Sequence, residues 1–434
     1  MSRNEVNRLL HPYRFLAILP RLLLTIILGL MMALALALAF SELRAQWHDG
    51  PHAISSVTHE MPEVDFSLLW SAGKMVAAGK GALLYDGPSF ALWRQHLFGA
   101  GLQRLDWLYP PPMVAVGIAV SQIPLIPGYF LWMLVVFGVS VLVLRGAGLS
   151  WQVVIFGLLG PPMWRGLAIG QYAPLAGALV VAGLLTARRA PVRAGIALAF
   201  ATLKPHLGIL VPIVWVAQRR RTAFCVAAVG TVGLAAVSTA SLGPGIWPAF
   251  LHGSATSARM LVETPTPTGY PLNAASVFWM ARSFGASVAL SYAVQAIAAI
   301  FAVFAVWKAA RHGTEAETAT AAVAICMILL VPPYLYASDL VGYSIVIAMI
   351  AEQQSAGPLP IFLWLCPGVS EVFTYVTGKA VLPVAFVVTA LVAWRQFRAS
   401  VSSAIKGPIA APATPVTLFG QTVGEGSAPA RHEG

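Results

Sequence analysis

The chain has few aspartates, and one of them lies where a carboxylate could take a proton. The five are Asp49, Asp65, Asp86, Asp106 and Asp339. Asp65 directly precedes the apolar stretch that begins with Phe66, so its carboxylate lies between a polar segment and an apolar one. Such a position can raise the pKa of a carboxyl toward the range of a general base. The alternative is that Asp65 caps a helix starting at Phe66, and the two roles are compatible.

Two further groups have the residue types of metal sites without a complete ligand set. Glu63 and Asp65 would point to one side of an extended backbone, where they could hold a divalent cation. His48 and His52 have helical spacing, but the Gly50-Pro51 pair between them breaks the helix that would align them. The cysteines form no CxxC pair. We therefore expect no cofactor, with a divalent cation as the open alternative.

Cationic side chains stand beside proline-rich breaks in the apolar sequence. Lys204 and His206 flank Pro205, and Arg165 follows the Gly160-Pro161-Pro162 break. Each cation could bind a phosphate by a charge-assisted hydrogen bond. The alternative for Lys204, and equally for Arg165, is that the side chain merely extends its charged end to the membrane surface.

The composition indicates which elements must position these groups. Of the 434 residues, 58% are hydrophobic and 10% charged, against roughly 25% charged in soluble domains. The mean hydropathy is +0.77, and the apolar residues form long runs. We predict an all-α polytopic membrane protein. The net charge of +11 then reflects basic residues at cytoplasmic ends of spans. No basic stretch alternates with aromatics, so we expect no nucleic-acid partner.

Basic residues orient the predicted bundle of about twelve transmembrane helices. Residues 1–21 carry four arginines and are predicted to be cytoplasmic, before a first span at 22–40; a cleavable signal peptide is the alternative. Residues 151–163 are too short to span and predict a re-entrant segment. The bundle covers 22–399, and 400–434 is predicted to be a disordered cytoplasmic tail. The other expected spans are 112–126, 129–145, 173–187, 192–204, 206–217, 222–242, 286–307, 319–335, 339–352, 358–375 and 379–394.

Two long loops should lie outside the cytoplasm. Residues 41–110 hold seven acidic and five basic residues in a strongly basic chain, as expected on that side, and 243–285 form the second loop. Within the first loop, residues 66–78 predict an amphipathic helix lying in the membrane interface. The segments that carry the polar motifs converge on the same outward side of this topology.

The order of these motifs resembles glycosyltransferase family 87, of the GT-C superfamily. The matching motifs are Asp65-Phe66, Tyr109-Pro110-Pro111-Pro112, Gly170-Gln171, Leu203-Lys204-Pro205-His206, Asn273-x-x-Ser276 and Pro333…Tyr336-x-x-Asp339-Leu340. Together they extend over nearly all of residues 15–395.

The resemblance implies a membrane enzyme that uses a polyprenyl-phosphate sugar, commonly mannose and sometimes a pentose, with Asp65 as general base. It implies a glycolipid or glycan acceptor and a bacterial cytoplasmic membrane, with the active site outside. The matching motifs would place Lys204, His206, Gln171, Tyr334 and Asp339 at the donor phosphate or cavity, and Tyr109, Asn273 and Ser276 at the acceptor or cavity. Arg165, from its place beside the break, is added to the donor-phosphate group.

One departure from the family's pattern concerns the late motif. This chain has Pro333-Tyr334 where the family often has Pro-His, so Tyr334 or His206 would have to substitute for that histidine. The competing functional class is a transporter or flippase of lipid-linked sugars, which also needs broken helices and buried charges. A non-catalytic membrane scaffold would explain the spans but not the grouped polar motifs.

Overall fold

The computed structural model describes residues 54–55, 59–263, 274–311, 317–353 and 358–406, together with Ile26, Leu30 and Arg44, with side chains described up to residue 398. The expected first span at 22–40 and the His48–His52 pair therefore lie outside the described residues, except for Ile26 and Leu30, which are helical. The described residues form helices and no β-strand, apart from one isolated bridge between Ala274 and Tyr336. The all-α expectation is confirmed for this part of the chain.

Seventeen α-helices follow one another along the described residues. They are α1 (Val64–Ala77), α2 (Gly87–Phe98), α3 (Pro111–Val120), α4 (Leu125–Gly146), α5 (Trp151–Leu158), α6 (Pro161–Ile169), α7 (Ala173–Thr186), α8 (Pro191–Ala201), α9 (Val211–Ala217), α10 (Arg221–Leu242), α11 (Ile246–Glu263), α12 (Val277–Ser283), α13 (Val288–Arg311), α14 (Glu317–Ile328), α15 (Val341–Gln353), α16 (Pro358–Thr377) and α17 (Leu382–Lys406). Short 3-10 turns occupy Gly81–Leu83, Pro205–Leu207 and Ala337–Leu340.

Four of these helices are long and apolar enough to cross a membrane, namely α4, α10, α13 and α16. They correspond to the spans expected at 129–145, 222–242, 286–307 and 358–375. Most of the other expected spans in the described residues correspond to shorter helices, and the one at 379–394 lies on the 25-residue α17, which is not among the candidate spans. The expected number of about twelve crossings is therefore not confirmed. The expected span at 319–335 was too long, because α14 ends at Ile328 and the chain then leaves the helix before the Ala337–Leu340 turn.

The predicted re-entrant segment is a pair of helices bent by 58°. The break falls at Gly160, after which Pro161 and Pro162 occupy the first positions of α6. Proline is tolerated there because its missing N–H would have no partner within the helix. Counted as one unit, α5 and α6 would make a fifth candidate span, so the bend agrees with a broken or re-entrant helix.

Small and apolar helices fill the centre of the bundle. Nearly every residue of α7 is buried, as is the first part of α15 through Ile350. The two helices approach closely: a Cβ added at Gly177 would lie 3.0 Å from the backbone nitrogen of Gly342. A helix that is apolar all round must be surrounded by protein or lipid. By contrast, α10 and α13 leave large apolar side chains exposed, as expected for lipid-facing helices.

Helix α1 is present where the sequence predicted a helix, but it packs inside the bundle rather than along the membrane surface. Phe66, Leu69 and Ala72 are buried. A Cβ added at Gly73 would lie 2.1 Å from the carbonyl oxygen of Gly117 on α3, so only glycine fits at this crossing. This part of the first loop therefore belongs to the core. At the other end of the chain, α17 continues to Lys406, past the expected start of the disordered tail.

Candidate active site

Asp65 is the second residue of α1 and lies within its first turn. Glu63 occupies the N-cap position, and no side chain caps the helix by a hydrogen bond. The capping interpretation of Asp65 is therefore wrong in this structure, which leaves its carboxylate available for other contacts. Negative charge in the first turn still interacts favourably with the helix dipole.

The Gly170-Gln171 motif lies directly against the start of α1. Gly170 ends α6 with a φ of +78°, in the left-handed region that glycine adopts without strain. A Cβ at this position would lie 2.4 Å from the Cβ of Phe66 and 3.0 Å from its backbone nitrogen. Glycine is thus required twice, for the backbone turn and for the contact with the residue that follows Asp65.

Gln171 and Tyr109 form a hydrogen-bonded pair beside this contact. The Gln171 side-chain oxygen accepts from the Tyr109 hydroxyl and, at 3.1 Å, from the backbone N–H of Tyr172. The Tyr85 hydroxyl donates to the Tyr109 carbonyl oxygen at 2.7 Å, which holds the end of the first loop. Two donors on one oxygen fix the orientation of the amide, because only its oxygen can accept both.

Lys204, His206, Tyr334 and Asp339 make up a second group, called here the Lys204–Asp339 cluster. Lys204 Nζ lies 2.6 Å from Asp339 Oδ1, and His206 Nε2 lies 3.6 Å from Asp339 Oδ2. The backbone N–H of Tyr336 donates to the same carboxylate at 2.9 Å. The rings of His206 and Tyr334 are in edge contact, with centroids 5.4 Å apart. Asp339 is thus held as the buried counter-ion of Lys204.

The unwound chain between α14 and α15 carries Tyr334 and Asp339, and a buried glutamine holds it. Gln295 on α13 donates from its amide nitrogen to the carbonyl oxygens of Leu330 and Val331, at 2.7 and 3.0 Å. Its oxygen accepts from the N–H of Phe278 at 2.8 Å. Irregular backbone at membrane depth needs such partners. The bridge between Ala274 and Tyr336 adds a second attachment.

Asp65 and the Lys204–Asp339 cluster interact electrostatically. Burial raises the pKa of Asp65 to about 6, while Lys204 opposes this rise, Asp339 adds to it, and Arg165 and Arg94 oppose it. A carboxyl that is ionised at neutral pH but has a raised pKa is suited to accept a proton from a hydroxyl group. Arg165, on the bent helix α6, adds a second positive charge to this field. The site thus combines a candidate base with candidate phosphate-binding cations.

Of the sequence-predicted acceptor residues, Ser276 does not join this arrangement. Asn273 lies outside the described residues. Ser276 is buried and caps α12, since its hydroxyl accepts from the N–H of Trp279 at 3.2 Å. The Glu63–Asp65 pair has no third protein ligand for a metal, because the described residues contain no group of three His, Cys, Asp or Glu side chains.

Sequence reasoning missed the buried arginine beneath α1. Arg94 on α2 is fully buried and lies 3.1 Å from Glu60 and 3.2 Å from the hydroxyl of Ser67. Its local sequence, Trp93-Arg94-Gln95-His96, has no feature that separates it from an exposed helical arginine. Its role depends on how α2 packs, which no local pattern reveals.

A groove of about 530 Å³ runs along the lipid-facing side of the bundle between α8 and α10. Its walls are apolar and include Phe200 and Val229, and Gly230 and Gly233 contribute no side chain. A Cβ added at Gly233 would meet nothing within 4 Å, so the groove has free space there. Lys204 lies three residues after the end of α8. Helix α8 therefore connects the groove to the Lys204–Asp339 cluster.

Residues 107–333 match the family described as Glycosyltransferase family 87, and this match covers just over half of the chain. The chain belongs to glycosyltransferase family 87. The resemblance seen in the motifs is thereby confirmed, and the protein is a membrane glycosyltransferase of the GT-C type. No curated protein and no solved structure matches the chain. Asp65, Tyr334 and Asp339 lie outside the matched residues, whereas Arg165, Gln171, Lys204 and His206 lie within them.

Proposed function

We propose that this protein transfers a sugar, specifically mannose, from a polyprenyl-phosphate donor to a hydroxyl group of a glycolipid or glycan outside the cytoplasm. The supporting observation is that Asp65, with a pKa of about 6, lies in the field of Lys204 and Arg165. A sugar transfer needs a base for the acceptor hydroxyl and cations for the departing phosphate. This site offers both in one place.

The reaction would be a single displacement that inverts the anomeric centre. Asp65 would take the proton of the acceptor hydroxyl while that oxygen attacks the sugar, and the bond from the sugar to the phosphate oxygen breaks. Lys204 and Arg165 would then stabilise the phosphate that leaves. A covalent sugar–enzyme intermediate would need a second carboxylate as nucleophile. Asp339 is poorly suited to that role because Lys204 already neutralises it at 2.6 Å.

The lipid carrier explains why the site lies within a helical bundle. Nucleotide sugars are cytoplasmic, so a transferase acting outside needs a donor that arrives through the membrane. The groove between α8 and α10 supports this proposal, since an isoprenoid chain lying there would bring its phosphate toward Lys204. Family membership favours a transferase over the transporter or flippase alternative.

The proposal is tested with protein purified in lipid nanodiscs. Polyprenyl-phosphate mannose, the corresponding arabinose donor and GDP-mannose are each supplied with a membrane glycolipid extract as acceptor. We expect radiolabelled product from the polyprenyl-phosphate mannose alone. Direct use of GDP-mannose would contradict the lipid-carried donor, and arabinose transfer without mannose transfer would correct the sugar. Reversed-phase separation of products identifies the acceptor that gained the sugar.

The sidedness of the site has its own test. In a variant in which Cys225, Cys326 and Cys366 are replaced by serine, a single cysteine is introduced at Ser55 in the first loop. We expect a membrane-impermeant maleimide to label it in intact cells. Labelling only after the membrane is opened, in folded protein, would place the first loop and the proposed site in the cytoplasm.

A further inference from the structure

Arg94 contacts the chain on both sides of Asp65. Its Nη2 atom lies 3.1 Å from Glu60 Oε2 and 3.2 Å from Ser67 Oγ. Glu60 lies five residues before Asp65, and Ser67 lies two residues after it. The Ser67 hydroxyl donates to the carbonyl oxygen of Val64, which belongs to the same first turn of α1. One guanidinium nitrogen thus joins the segment entering α1 and the first turn of α1 to a single point on α2.

This arrangement is a costly way to join two helices. Nε and Nη1 of Arg94 are buried and make no hydrogen bond to the described residues. Buried N–H groups without partners oppose folding, and replacing a buried ion pair by apolar side chains is often neutral or stabilising. A neutral tie between the same helices already exists, since Trp93 Nε1 donates to the Ser71 carbonyl oxygen at 3.1 Å. Helix packing alone does not require the charge of Arg94.

We propose that Arg94 is a positioning residue for Asp65, fixing the first turn of α1 so that the Asp65 carboxylate is directed at the acceptor hydroxyl. This inference rests on the proposed function, because it takes Asp65 as the base. Arg94 also contributes positive potential at that carboxylate. The charged groups that act on Asp65 are Lys204, Asp339, Arg165 and Arg94, and Asp65 in turn acts on Glu60.

The main test removes both members of the ion pair. The double variant Glu60→Leu/Arg94→Met leaves no unpaired buried charge, so we expect a Tm at or above that of the wild type. We expect kcat to fall roughly 10- to 100-fold, because small misplacements of a catalytic group have effects of this size. The KM for the polyprenyl-phosphate donor should stay unchanged. A purely structural tie would instead leave kcat unchanged or lower it only with the amount of folded protein.

Single variants show which contact matters. Ser67→Ala removes the contact to Arg94 and the local hydrogen bond to the Val64 carbonyl oxygen but keeps the ion pair, so kcat should fall while Tm stays close to the wild-type value. Arg94→Lys keeps the positive charge, but its shorter side chain should lengthen the contacts to Glu60 and Ser67, so it should retain more activity than the double variant and less than the wild type. Arg104→Gln is the matched control. It breaks an exposed ion pair with Asp106 in the same loop and should change neither kcat nor Tm.

A substrate-free measurement separates this inference from the proposed function. Carbodiimide modifies protonated carboxyls, and mass spectrometry follows its reaction with Asp65 as a function of pH. In Arg94→Gln, which keeps Glu60, the midpoint should move to higher pH, since Arg94 opposes the rise in the Asp65 pKa that burial causes; in Arg94→Lys, which keeps the positive charge, the midpoint should stay in place. Wild-type protein that transfers no sugar would overturn the proposed function alone. An unchanged midpoint in folded Arg94→Gln, together with an unchanged kcat in the double variant, would overturn the role of Arg94.

Discussion

Asp65 and Asp339 are carboxylates of one site with opposite surroundings. Asp339 is fully enclosed and contacts Lys204 at 2.6 Å, His206 at 3.6 Å and the N–H of Tyr336 at 2.9 Å. Asp65 lies in the first turn of α1 and has no ion pair with the same lysine. Removal of its carboxylate from water therefore outweighs the attraction to Lys204 and raises the pKa of Asp65 to about 6. Neighbouring carboxyls whose pKa values are moved apart by their surroundings commonly divide catalytic roles between them.

The difference assigns each side of the site a task. On the Asp339 side, the paired carboxylate holds Lys204 and the unwound chain 329–336 in place. The Asp65 side has a carboxylate that its surroundings do not stabilise in the charged form, which favours proton uptake. A substitution of Asp65 should therefore affect catalysis, whereas a substitution of Asp339 should affect folding or donor binding.

The largest effect is expected for Asp65→Asn, which keeps the shape of the side chain but cannot accept a proton at neutral pH. Transfer from the polyprenyl-phosphate sugar should fall about 10²- to 10⁴-fold. Because burial disfavours the charged form of Asp65, removing the negative charge by Asp65→Asn should leave Tm unchanged or raise it. Asp86→Asn and Asp106→Asn are controls from the same loop and should do far less. Near wild-type turnover in Asp65→Asn would make Asp339 the next candidate for the base.

The second prediction concerns Asp339→Asn, which should act mainly on stability. It leaves the buried Lys204 without its counter-ion, and breaking a buried ion pair typically costs ~3–5 kcal/mol. Thermal unfolding in detergent should show the loss directly. In the double variant Lys204→Met/Asp339→Leu, Tm should recover while affinity for polyprenyl phosphate stays low. Recovery of both would mean that Lys204 does not bind the phosphate and only extends toward the membrane surface.

The sequence predicted the parts of this site but not their contacts. Asp65, Gln171, Lys204 and Asp339 stood out because polar residues are rare and costly in an apolar chain. The helix at α1 was evident from its pattern, but its burial against α3 was not, because the Gly73–Gly117 contact depends on tertiary packing. Arg94 and Gln295 were missed for the same reason. Short helices such as α8 and α9 also made it impossible to count crossings by length.

The third prediction uses pH to compare the two sides. With Asp65 as base, kcat/KM should decrease as the pH falls through about 6, where the carboxylate gains a proton. Burial raises the pKa of Asp65 and so sets the pH of this decrease, while Lys204 lowers that pKa and Asp339 raises it. Lys204→Met should therefore move the limb to higher pH and Asp339→Asn to lower pH. Parallel shifts in both variants would show that a different group controls the acid limb.

The smallest effect is expected in the groove between α8 and α10, on the donor side of the comparison. Gly233→Leu places a side chain in its free space without touching other residues. If one or two methylene groups of an isoprenoid chain lose their contacts there, binding should weaken by about 1–2 kcal/mol. Affinity for a long-chain polyprenyl phosphate should fall, and affinity for a short-chain analogue that ends before Gly233 should not. The matched control is Gly138→Leu, which also adds a side chain in open space on a candidate span. Equal losses for Gly233→Leu and Gly138→Leu, or for long and short chains, would remove the groove from the donor's path.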